Sequence, residues 1–365
     1  MMEKRGPAAG AGPKHRVRRT AAEHYAGIDV SLELSSVCVV DAQGKIAREA
    51  KVAREPETLV AFFKEMSASV PRIGREAGPL SQRLYAALVE ADFDAVLLET
   101  RHVKAALSAM TAKTDRKDAR GIAQLLRMGW FRPVHCKSLG SQEVRALLTA
   151  RQQLLSKLTD VELSIRGILR GFGLKMGVTT RKTFESRARE LAAGRTMPET
   201  EIAAMLTARA ALLAEQNRLH KTVLKIVHDD QACRRLMSIP GAGPIVAITF
   251  KTAVDDPTRI MKSKAIGPVF GPTPRKYQSG ETGVTGGVSC VGDTKVRTAL
   301  YEAANILLSR VKRFSALKRW GMDPAKRRGL KRAKAALARK IGLIMHRMWI
   351  DGTEFRWTTA ERAAA

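Results

Sequence analysis

The sequence predicts an α/β N-terminal domain, a central antiparallel coiled-coil hairpin of two long helices, and a mainly α C-terminal domain. Short strand-like apolar segments alternate with helix-like segments up to about residue 135. From about Ser141, apolar residues recur at a spacing of three and four, which is typical of long helices. Glycine-containing turns separate shorter segments after residue 230. At 365 residues the chain is long enough for two or more domains.

The charge of the chain indicates a polyanionic partner. The sequence holds 64 Lys and Arg residues against 35 Asp and Glu residues, a formal net charge of +29 at pH 7. A positive field of this size favours salt-sensitive binding to phosphate backbones, so nucleic acid is the expected partner. The alternative is a ribosome-associated or nonspecifically adhesive basic protein, but such proteins rarely carry acidic residues spaced along strand and helix patterns.

The rest of the composition excludes other classes of protein. No segment is long and apolar enough to cross a bilayer, and the N-terminus lacks the apolar core of a signal peptide. We therefore expect no membrane contact and a cytoplasmic protein that acts at the nucleoid. Residues 1–22 are rich in Gly, Ala, Pro and Arg without apolar periodicity, which predicts a disordered basic arm. Residues 351–365 are predicted to form a tail.

The predicted N-terminal domain, residues 23–135, begins with three strands. The segments AGIDV, SSVCVVD and IAREAKV, with a turn at AQGK, indicate an antiparallel meander. A helix (PETLVAFFKEM), a strand (RIGRE), a helix (LSQRLYAALVEA) and a strand (AVLLE) follow, and then helices around VKAALSAM and DARGIAQLLRMG. This order gives a mixed sheet. It is the order of ribonuclease-H-like nucleases, so an RNase-H/RuvC-like fold is expected.

Four acidic residues mark the candidate site of this domain. Asp29 follows the first strand, Glu76 follows the fourth, and Asp115 and Asp118 share one face at the start of a helix. Carboxylates presented this way can converge on a hard divalent cation that binds phosphate oxygens. Taken singly, each residue has an ordinary structural explanation: a turn Asp, a solvated Glu, or a helix N-cap followed by a first-turn acid. A metal-binding quartet explains the four together more economically.

The segment 141–230 is predicted to be the antiparallel hairpin of long helices. Its first helix carries the periodic apolar positions Leu147, Leu154, Leu158, Val161, Ile165, Ile168 and Phe172. Its second helix carries Ile202, Met205, Leu212, Leu219, Val223 and Ile226. The glycine-rich and basic segment between them has three interpretations. It can be a tip that contacts RNA or DNA, a place where two protomers exchange helices, or the end of an ordinary intramolecular hairpin.

Two glycine-rich motifs characterise the predicted C-terminal domain, residues 231–350. The turn in MSIPGAGPIVAITF resembles a helix-hairpin-helix element, whose backbone N–H groups face a phosphate, although its glycines can equally serve tight packing. The second motif, PRKYQSGETGVTGG, carries Ser279. From the residues alone, Ser279 is a turn serine in a flexible loop. Arg275 and Lys276 lie close enough in sequence to neutralise a phosphate beside it.

The end of the predicted C-terminal domain is strongly basic. Residues 310–347 hold fourteen Lys or Arg residues and one acid, Asp323. We expect a continuous basic face along a phosphate backbone, with Phe314 and Trp320 available to stack on exposed bases. The residues expected to contact nucleic acid are Arg116, Lys117, Arg275, Lys276, Lys326, Arg327, Arg328, Lys331 and Arg332.

Several motifs together resemble one known family. They are GIDV, REAGP, KTDRKDARGIAQLLRMGWFRPVH, IPGAGP, GPVFGPTPRKYQSGETGVTGG and VRTALYEAANILL. In this combination the chain is similar to the DEDD transposases of bacterial insertion sequences, over about residues 25–349. Members of that family have a RuvC-like N-terminal domain and a C-terminal transposase domain with a catalytic serine, and they use a structured bridge RNA. An Arg directly before Glu76 departs from the family pattern.

The resemblance implies roles for individual residues. The acidic quartet falls on Asp29, Glu76, Asp115 and Asp118, and would bind Mg²⁺. The nucleophile falls on Ser279, which would attack a DNA phosphodiester and form a covalent protein–DNA intermediate that is resealed to a new partner. The family assembles this site from two subunits, which implies a homodimer or homotetramer acting on the element ends and the target DNA.

Two other function classes compete with a transposase. One is a metal-dependent, structure-selective DNA nuclease similar to a Holliday-junction resolvase, in which the quartet activates water and Ser279 is incidental. The other is a non-catalytic nucleic-acid-binding protein with a degenerate nuclease fold. Intact acidic residues at all four positions argue against the second class.

Overall fold

The structure is a computed structural model that describes residues 24–66, 72–78, 80–108, 113–271, 273–289 and 291–357. The chain divides into two compact units, Met1–Cys136 and Lys137–Ala365. The predicted basic arm, residues 1–22, lies outside the described residues, as does the predicted tail beyond residue 357. In the described ranges, no helix combines the length and apolar character that a bilayer crossing requires.

The first unit is a mixed α/β structure. Its strands are β1 (His24–Val30), β2 (Leu34–Asp41), β3 (Ile46–Ala53), β4 (Arg72–Glu76), β5 (Ala95–Leu98) and β6 (Pro133–Val134). Its helices are α1 (Pro56–Lys64), α2 (Ser81–Glu90), α3 (Thr100–Leu107) and α4 (Asp115–Arg127). The predicted elements are all present, and the short strand β6 is an addition that the sequence pattern did not reveal.

The strands form one sheet in the order β3-β2-β1-β4-β5-β6. Strand β2 runs antiparallel to both β1 and β3, whereas β4 runs parallel to β1 and β5 runs parallel to β4. The predicted meander and mixed sheet are therefore confirmed. Because β1 and β4 are parallel neighbours, their C-terminal ends lie at the same edge of the sheet.

Strand β1 lies in the middle of the sheet and is covered on both faces. Side chains alternate between the two faces of a strand. Ala26 and Ile28 pack in a core with Phe63 of α1 and Leu84 of α2. Gly27 faces the other way, toward helix α4.

Helix α4 approaches strand β1 at Gly27 more closely than any side chain would permit. A Cβ atom added at Gly27 would collide with the carbonyl oxygen of Ala119 and would lie 2.5 Å from the amide nitrogen of Ala123. Both obstacles are backbone atoms of α4, so they cannot rotate away. The first turn of α4, with its two acidic residues, is therefore held above the end of β1.

The second unit is mostly helical. Its long helices are α5 (Leu139–Gly171) and α7 (Thr196–Asp229), with the short α6 (Phe184–Ala192) between them. It continues with α8 (Gln231–Met237), α9 (Pro244–Val254), α10 (Ile266–Phe270), strands β7 (Pro274–Ser279) and β8 (Thr282–Val288), α11 (Thr294–Ser309), α12 (Ala316–Arg328) and α13 (Leu330–Asp351). The β7–β8 hairpin replaces the flexible loop that was the alternative for this glycine-rich segment.

Helices α5 and α7 run antiparallel along each other. The Nη2 atom of Arg209 lies 2.8 Å from a carboxylate oxygen of Glu162, and Arg151 donates to His220 at 3.2 Å. Each pair joins a residue in the N-terminal half of one helix to a residue in the C-terminal half of the other, as antiparallel helices require. At the far end, Phe184 of α6 joins both helices in a separate apolar core. Phe172, which the spacing placed on the apolar stripe, instead caps α5 and is 48% exposed.

A second core joins helices α8 to α13. Buried apolar side chains of α9, α11 and α13 form its centre. His346 of α13 is fully buried, with Nδ1 2.9 Å from the Ser263 hydroxyl and Nε2 3.0 Å from the Pro257 carbonyl oxygen. Because a carbonyl oxygen only accepts, Nε2 carries the proton. His346 therefore fastens the segment between α9 and α10 to α13.

The contact at Gly27 makes a direct prediction about stability. We expect Gly27→Ala to lower the free energy of unfolding by about 3 kcal/mol, because the added methyl group forces α4 away from the sheet. Urea unfolding monitored by circular dichroism measures this change. Gly78→Ala is the matched control, because its Cβ would meet nothing within 4 Å. Equal stability of the two variants would refute the close packing of α4 on β1.

Candidate active site and nucleic-acid interface

The acidic end of helix α4 is fixed by its cap. Thr114 is the N-cap residue, and its hydroxyl accepts a hydrogen bond from the Lys117 amide at 3.3 Å. The structural alternative in which Asp115 is the N-cap is therefore wrong. Asp115 and Asp118 both lie in the first turn, where the helix dipole favours negative charge.

Asp29 and Glu76 lie at the sheet edge below this turn. Asp29 is the penultimate residue of β1, and Glu76 is the last residue of β4. In the parallel register Ile28 pairs with Arg75, so the two acidic residues follow one step later on neighbouring strands. Both are half-buried.

Charge interactions connect members of the predicted quartet. Burial raises the pKa of Asp29, and the charges of Asp115 and Asp118 raise it further. Burial also raises the pKa of Glu76, with further increases from Asp29 and then Asp118. Each of these interactions requires short separations between like charges. The charge interactions therefore link Asp29 with both acidic residues of α4, and Glu76 with Asp29 and Asp118.

Three cations oppose this negative charge, and sequence reasoning assigned none of them to the site. Arg75 is buried, with 8% of its surface exposed, and donates to the carbonyl oxygens of Glu76 at 3.3 Å and Leu80 at 3.2 Å. Lys113 lies 4.0 Å from Asp118 and lowers the pKa of Asp29, as Arg75 does. Lys104 lowers the pKa of Glu76. The signal for Arg75 was a charged residue inside a buried strand.

The donor set fits a hard divalent cation, although the side chains are not closed around one. Four carboxylates offer the oxygen ligands that such ions prefer, and the raised pKa values of Asp29 and Glu76 reflect burial together with repulsion that a cation would relieve. In the described ranges, no three His, Cys, Asp or Glu side chains are close enough together to hold an ion. Small side-chain movements at the sheet edge would therefore accompany binding.

The basic residues beside the quartet point in different directions. Arg116 donates to the Glu49 carboxylate of β3, with Nε at 2.8 Å, and this pairing is the largest cause that lowers the pKa of Glu49. Lys117 is exposed to solvent. Contact of either residue with phosphate stays a prediction, and Arg116 would have to exchange its Glu49 partner for it.

Ser279 lies at the tip of the β7–β8 hairpin. It pairs with Thr282 across a two-residue turn of Gly280 and Glu281, and Gly280 adopts a φ of +54° that favours glycine. Ser279 is exposed, and a shallow depression beside it is lined by Tyr277 and Val284. The serine hydroxyl is thus open to a large substrate.

The other residues of this motif are only partly described. Arg275 and Lys276 lie on β7, and the positions of their side chains fall outside the described part of the structure. Their predicted contact with phosphate therefore stays a prediction.

The base of the hairpin is held by one guanidinium group. Nη1 of Arg297 donates to the carbonyl oxygens of Phe270 at 3.2 Å and Gly292 at 2.9 Å. These carbonyls lie before β7 and after β8, so Arg297 ties the two sides of the hairpin together. Gly271 and Gly292 have φ values of +79° and +97°, and a Cβ at Gly271 would lie 2.8 Å from the Val291 amide nitrogen.

The helix-hairpin-helix resemblance has a structural explanation. Gly241 lies in the turn between α8 and α9, and a Cβ there would lie 3.1 Å from the Leu307 amide nitrogen and would collide with the Ala303 carbonyl oxygen. This glycine therefore serves tight packing on α11. Gly243, the N-cap of α9, has open space around its Cβ position.

The basic C-terminal segment is divided between two helices. It forms α12 and α13, and part of it lines a groove of about 1090 Å³ together with strand β8. Arg327, Arg328 and Arg332 line this groove, whereas Lys326 and Lys331 do not. Trp320 also lines it, and Phe314 lies elsewhere with its ring exposed.

Comparisons with known proteins match segments of both compact units. Residues 26–173 match the DEDD_Tnp_IS110 family model, described as "Transposase". Residues 233–320 match the model described as "Transposase IS116/IS110/IS902 family". The two matches together span more than half of the chain. The first contains all four acidic residues, and the second contains Ser279.

Curated relatives carry the same description. The chain is 28% identical over 329 residues to the transposase for insertion sequence element IS1111A of Coxiella burnetii, which covers 87% of each chain. It is 25% identical over 249 residues to the transposase for insertion sequence element IS1328 of Yersinia enterocolitica, which covers 67% of this chain and 73% of the relative.

The raised pKa of Asp29 predicts how stability depends on pH in the absence of metal. Because the folded protein holds this proton more tightly than the unfolded chain, the free energy of unfolding should fall as pH rises above the ordinary value of 3.8. We expect Asp29→Asn to remove this loss, and to be more stable than the wild type at neutral pH in EDTA. Urea unfolding from about pH 3 to about pH 7 measures the difference in the free energy of unfolding between the two proteins.

The control for this experiment is Glu90→Gln, which changes an exposed acid on α2. It should leave the pH dependence of the wild type unchanged. A wild type and an Asp29→Asn variant with parallel pH profiles would show that the carboxylates are not coupled.

Arg297 predicts the rigidity of the Ser279 hairpin. We expect Arg297→Ala to increase amide hydrogen exchange of β7 and β8 by roughly tenfold, because each lost hydrogen bond at the hairpin base contributes about 1 kcal/mol. Mass spectrometry of exchanged peptides measures the effect. Arg310→Ala, an exposed change at the end of the same helix, is the control. Unchanged exchange in Arg297→Ala would show that the guanidinium does not hold the hairpin.

Proposed function

This chain belongs to the IS116/IS110/IS902 family of insertion-sequence transposases, and from that premise we propose that it cleaves and rejoins DNA through a covalent phosphoserine link at Ser279. One observation carries the proposal: in the first unit Asp29 and Glu76 lie at one sheet edge and interact electrostatically with acidic residues of α4, while an exposed serine occupies a hairpin tip in the second unit. Together these supply a cation site and a nucleophile for phosphoryl transfer.

The chemistry at Ser279 is a transesterification. The serine oxygen attacks the phosphorus, and the bond to the leaving deoxyribose oxygen breaks as the new O–P bond forms. The hydroxyl proton leaves to a carboxylate of the cluster or to solvent, and the leaving oxygen takes up a proton. Because one phosphodiester replaces another, a second attack by a deoxyribose hydroxyl can reseal DNA without a further energy source. The exposed position on a short hairpin lets the hydroxyl reach a backbone phosphate.

The carboxylates are proposed to hold a divalent cation, with Mg²⁺ as the physiological ion. Asp29, Glu76, Asp115 and Asp118 would be its ligands. When bound, the ion would stabilise charge on the phosphate and favour the deprotonated serine. Arg75 orients this edge by binding two backbone carbonyls, and Lys113 limits the repulsion among the carboxylates. These cations also favour approach of a negatively charged backbone.

We further propose that the complete site forms in an oligomer that binds a structured guide RNA. The carboxylates and Ser279 belong to different compact units. We therefore propose that the subunits of a homodimer or homotetramer contribute them separately to a shared site. The antiparallel pair α5 and α7 would act as a coiled coil, and the segment 172–195 at its tip would contact RNA or a second protomer. Association with the nucleoid would follow from the charge of +29.

A metal-dependent nuclease is the second candidate function. It is favoured by the acidic residues themselves, because a divalent cation held by such carboxylates would activate water without a serine. In that function Ser279 would be dispensable, which separates the two candidates experimentally.

A covalent-adduct assay tests the proposal. Wild-type protein, Mg²⁺, its RNA and labelled element-end and target DNA should give a labelled protein band on a denaturing gel. Ser279→Ala and Asp118→Asn should each reduce that band on the order of 10³-fold or more, because residues that act as a unit fail together. Thr282→Ala is the matched control, since it removes the hydroxyl that faces Ser279 across the turn.

The outcomes separate the candidate functions. Loss of the band in Ser279→Ala but not in Thr282→Ala supports serine transfer. Cleaved DNA without an adduct, equal in the wild type and in Ser279→Ala, would show a hydrolytic nuclease. Binding without cleavage in any sample would leave only the non-catalytic binding protein.

A further inference from the structure

We infer that the groove between β8 and helices α12 and α13 binds an unpaired nucleic-acid strand through its phosphates and one stacked base. The inference rests on the proposed function only in taking nucleic acid as the substrate. The groove has a volume of about 1090 Å³. Its cationic lining residues are Lys264, Arg327, Arg328, Arg332, Arg339 and Lys340.

No carboxylate among the described lining residues neutralises the positive charge of the groove. The described residues that line the groove include no Asp or Glu. Within the described part of the chain, none of its six cations forms an ion pair with a carboxylate, and Arg327 donates only to the Asp323 carbonyl oxygen at 3.5 Å. Six unpaired positive charges facing one recess repel each other, so a polyanion is the partner that this recess fits.

Helix α13 supplies one wall with a regular face. Arg332, Ala336, Arg339 and Leu343 follow one another at helical spacing and all line the groove. Arg332 and Arg339 are separated by roughly 10 Å along the helix axis. The small alanine side chain between the two guanidinium groups leaves room for a ligand to lie against the helix.

Helix α12 supplies the opposite wall and holds an aromatic ring there. Nζ of Lys340 lies 5.6 Å from the centre of the Trp320 ring, a cation–π contact across the two helices. A Cβ at Gly321 would lie 2.9 Å from Cδ2 of Leu337, which shows how closely the helices pack at this point. Trp320 is therefore held in place and keeps 40% of its surface exposed.

Strand β8 connects the groove to the candidate nucleophile. Thr285, Gly286 and Gly287 line the groove, and a Cβ at Gly287 would meet nothing within 4 Å. Thr282, which faces Ser279 across the hairpin turn, is about 10 Å from Thr285 along the strand. A strand bound in the groove can thus continue along β8 toward Ser279.

The size and the aromatic ring favour an unpaired strand over a duplex. Pockets for drug-sized ligands have volumes of roughly 300–1000 Å³, so a groove of about 1090 Å³ is large enough for a few nucleotides of one strand. An exposed indole stacks on a base only when that base has left its own stack. Single-stranded binding sites combine a cationic track with such rings. Unpaired DNA and unpaired RNA share this chemistry.

A binding experiment with full-length Ser279→Ala protein tests the inference separately from catalysis. Fluorescence anisotropy would measure Kd for labelled oligodeoxythymidine, for oligouridine and for a duplex of equal length. Trp320→Ala should weaken binding of the unpaired strands by roughly tenfold or more, and Trp320→Phe should restore most of it. Arg332→Ala and Arg339→Ala should each lower the slope of log Kd against log salt by about 0.7.

Matched controls distinguish the groove from general positive charge. Lys326→Ala and Lys331→Ala remove the same charge on the same two helices but outside the groove. The inference predicts a smaller effect for these controls than for Arg332→Ala, and duplex binding that is insensitive to Trp320→Ala. If the groove variants weaken binding of only one of the two unpaired probes, that result supports the groove and identifies either DNA or RNA as its ligand.

Two results would overturn the inference. One is an equal loss in the lysine controls and the groove variants, which would indicate nonspecific attraction or a different acidic partner. The other is Trp320→Ala with unchanged binding, provided that its thermal melting matches that of the parent protein. Failure of the covalent-adduct assay with intact groove binding would instead reject the phosphoserine proposal and leave the groove in place.

Discussion

The contact of helix α4 with strand β1 at Gly27 determines where the acidic side chains of the candidate site lie. The glycine allows backbone atoms of the helix to approach the strand directly, so that the first turn of α4 lies above the end of β1. The parallel pairing of β1 with β4 adds Glu76 at the same edge. Burial and mutual repulsion then raise the pKa values of Asp29 and Glu76. The proximity of these charges is thus a consequence of backbone packing, and it costs stability, as expected of the proposed cation site.

In the second unit, too, packing determines where charged and polar side chains lie, but the charge there is positive. Its helical core supports a short hairpin whose base is tied by Arg297 and whose tip carries Ser279. A two-stranded hairpin alone is marginally stable in water, so this anchoring matters. The same hairpin forms one side of a cationic groove. The proposed nucleophile, the proposed path for nucleic acid and a helical support therefore belong to one unit, while the carboxylates belong to the other.

The sequence predicted the parts of this structure that depend on periodicity and local chemistry. Strand alternation and turn residues revealed the meander, and the spacing of Asp115 and Asp118 revealed their shared face. It did not predict the role of Arg75, because a buried arginine acquires its partners only when strands pair. The β7–β8 hairpin was also missed, since glycine-rich segments have weak strand propensity and this hairpin depends on contacts made at its base by Arg297. The groove depends on the tertiary packing of α12 on α13, so the sequence alone predicted a basic segment but not which of its residues line the groove.

The most direct test of this account is a titration with Mn²⁺, an ion that accepts similar oxygen ligands, followed by electron paramagnetic resonance. Wild-type protein and the Ser279→Ala variant should bind the ion with equal affinity, because Ser279 is not a ligand. Asp29→Asn should weaken that binding by at least about tenfold, since even indirect partners of metal ligands contribute that much. Equal binding by all three proteins would contradict the claim that the gathered carboxylates form a cation site.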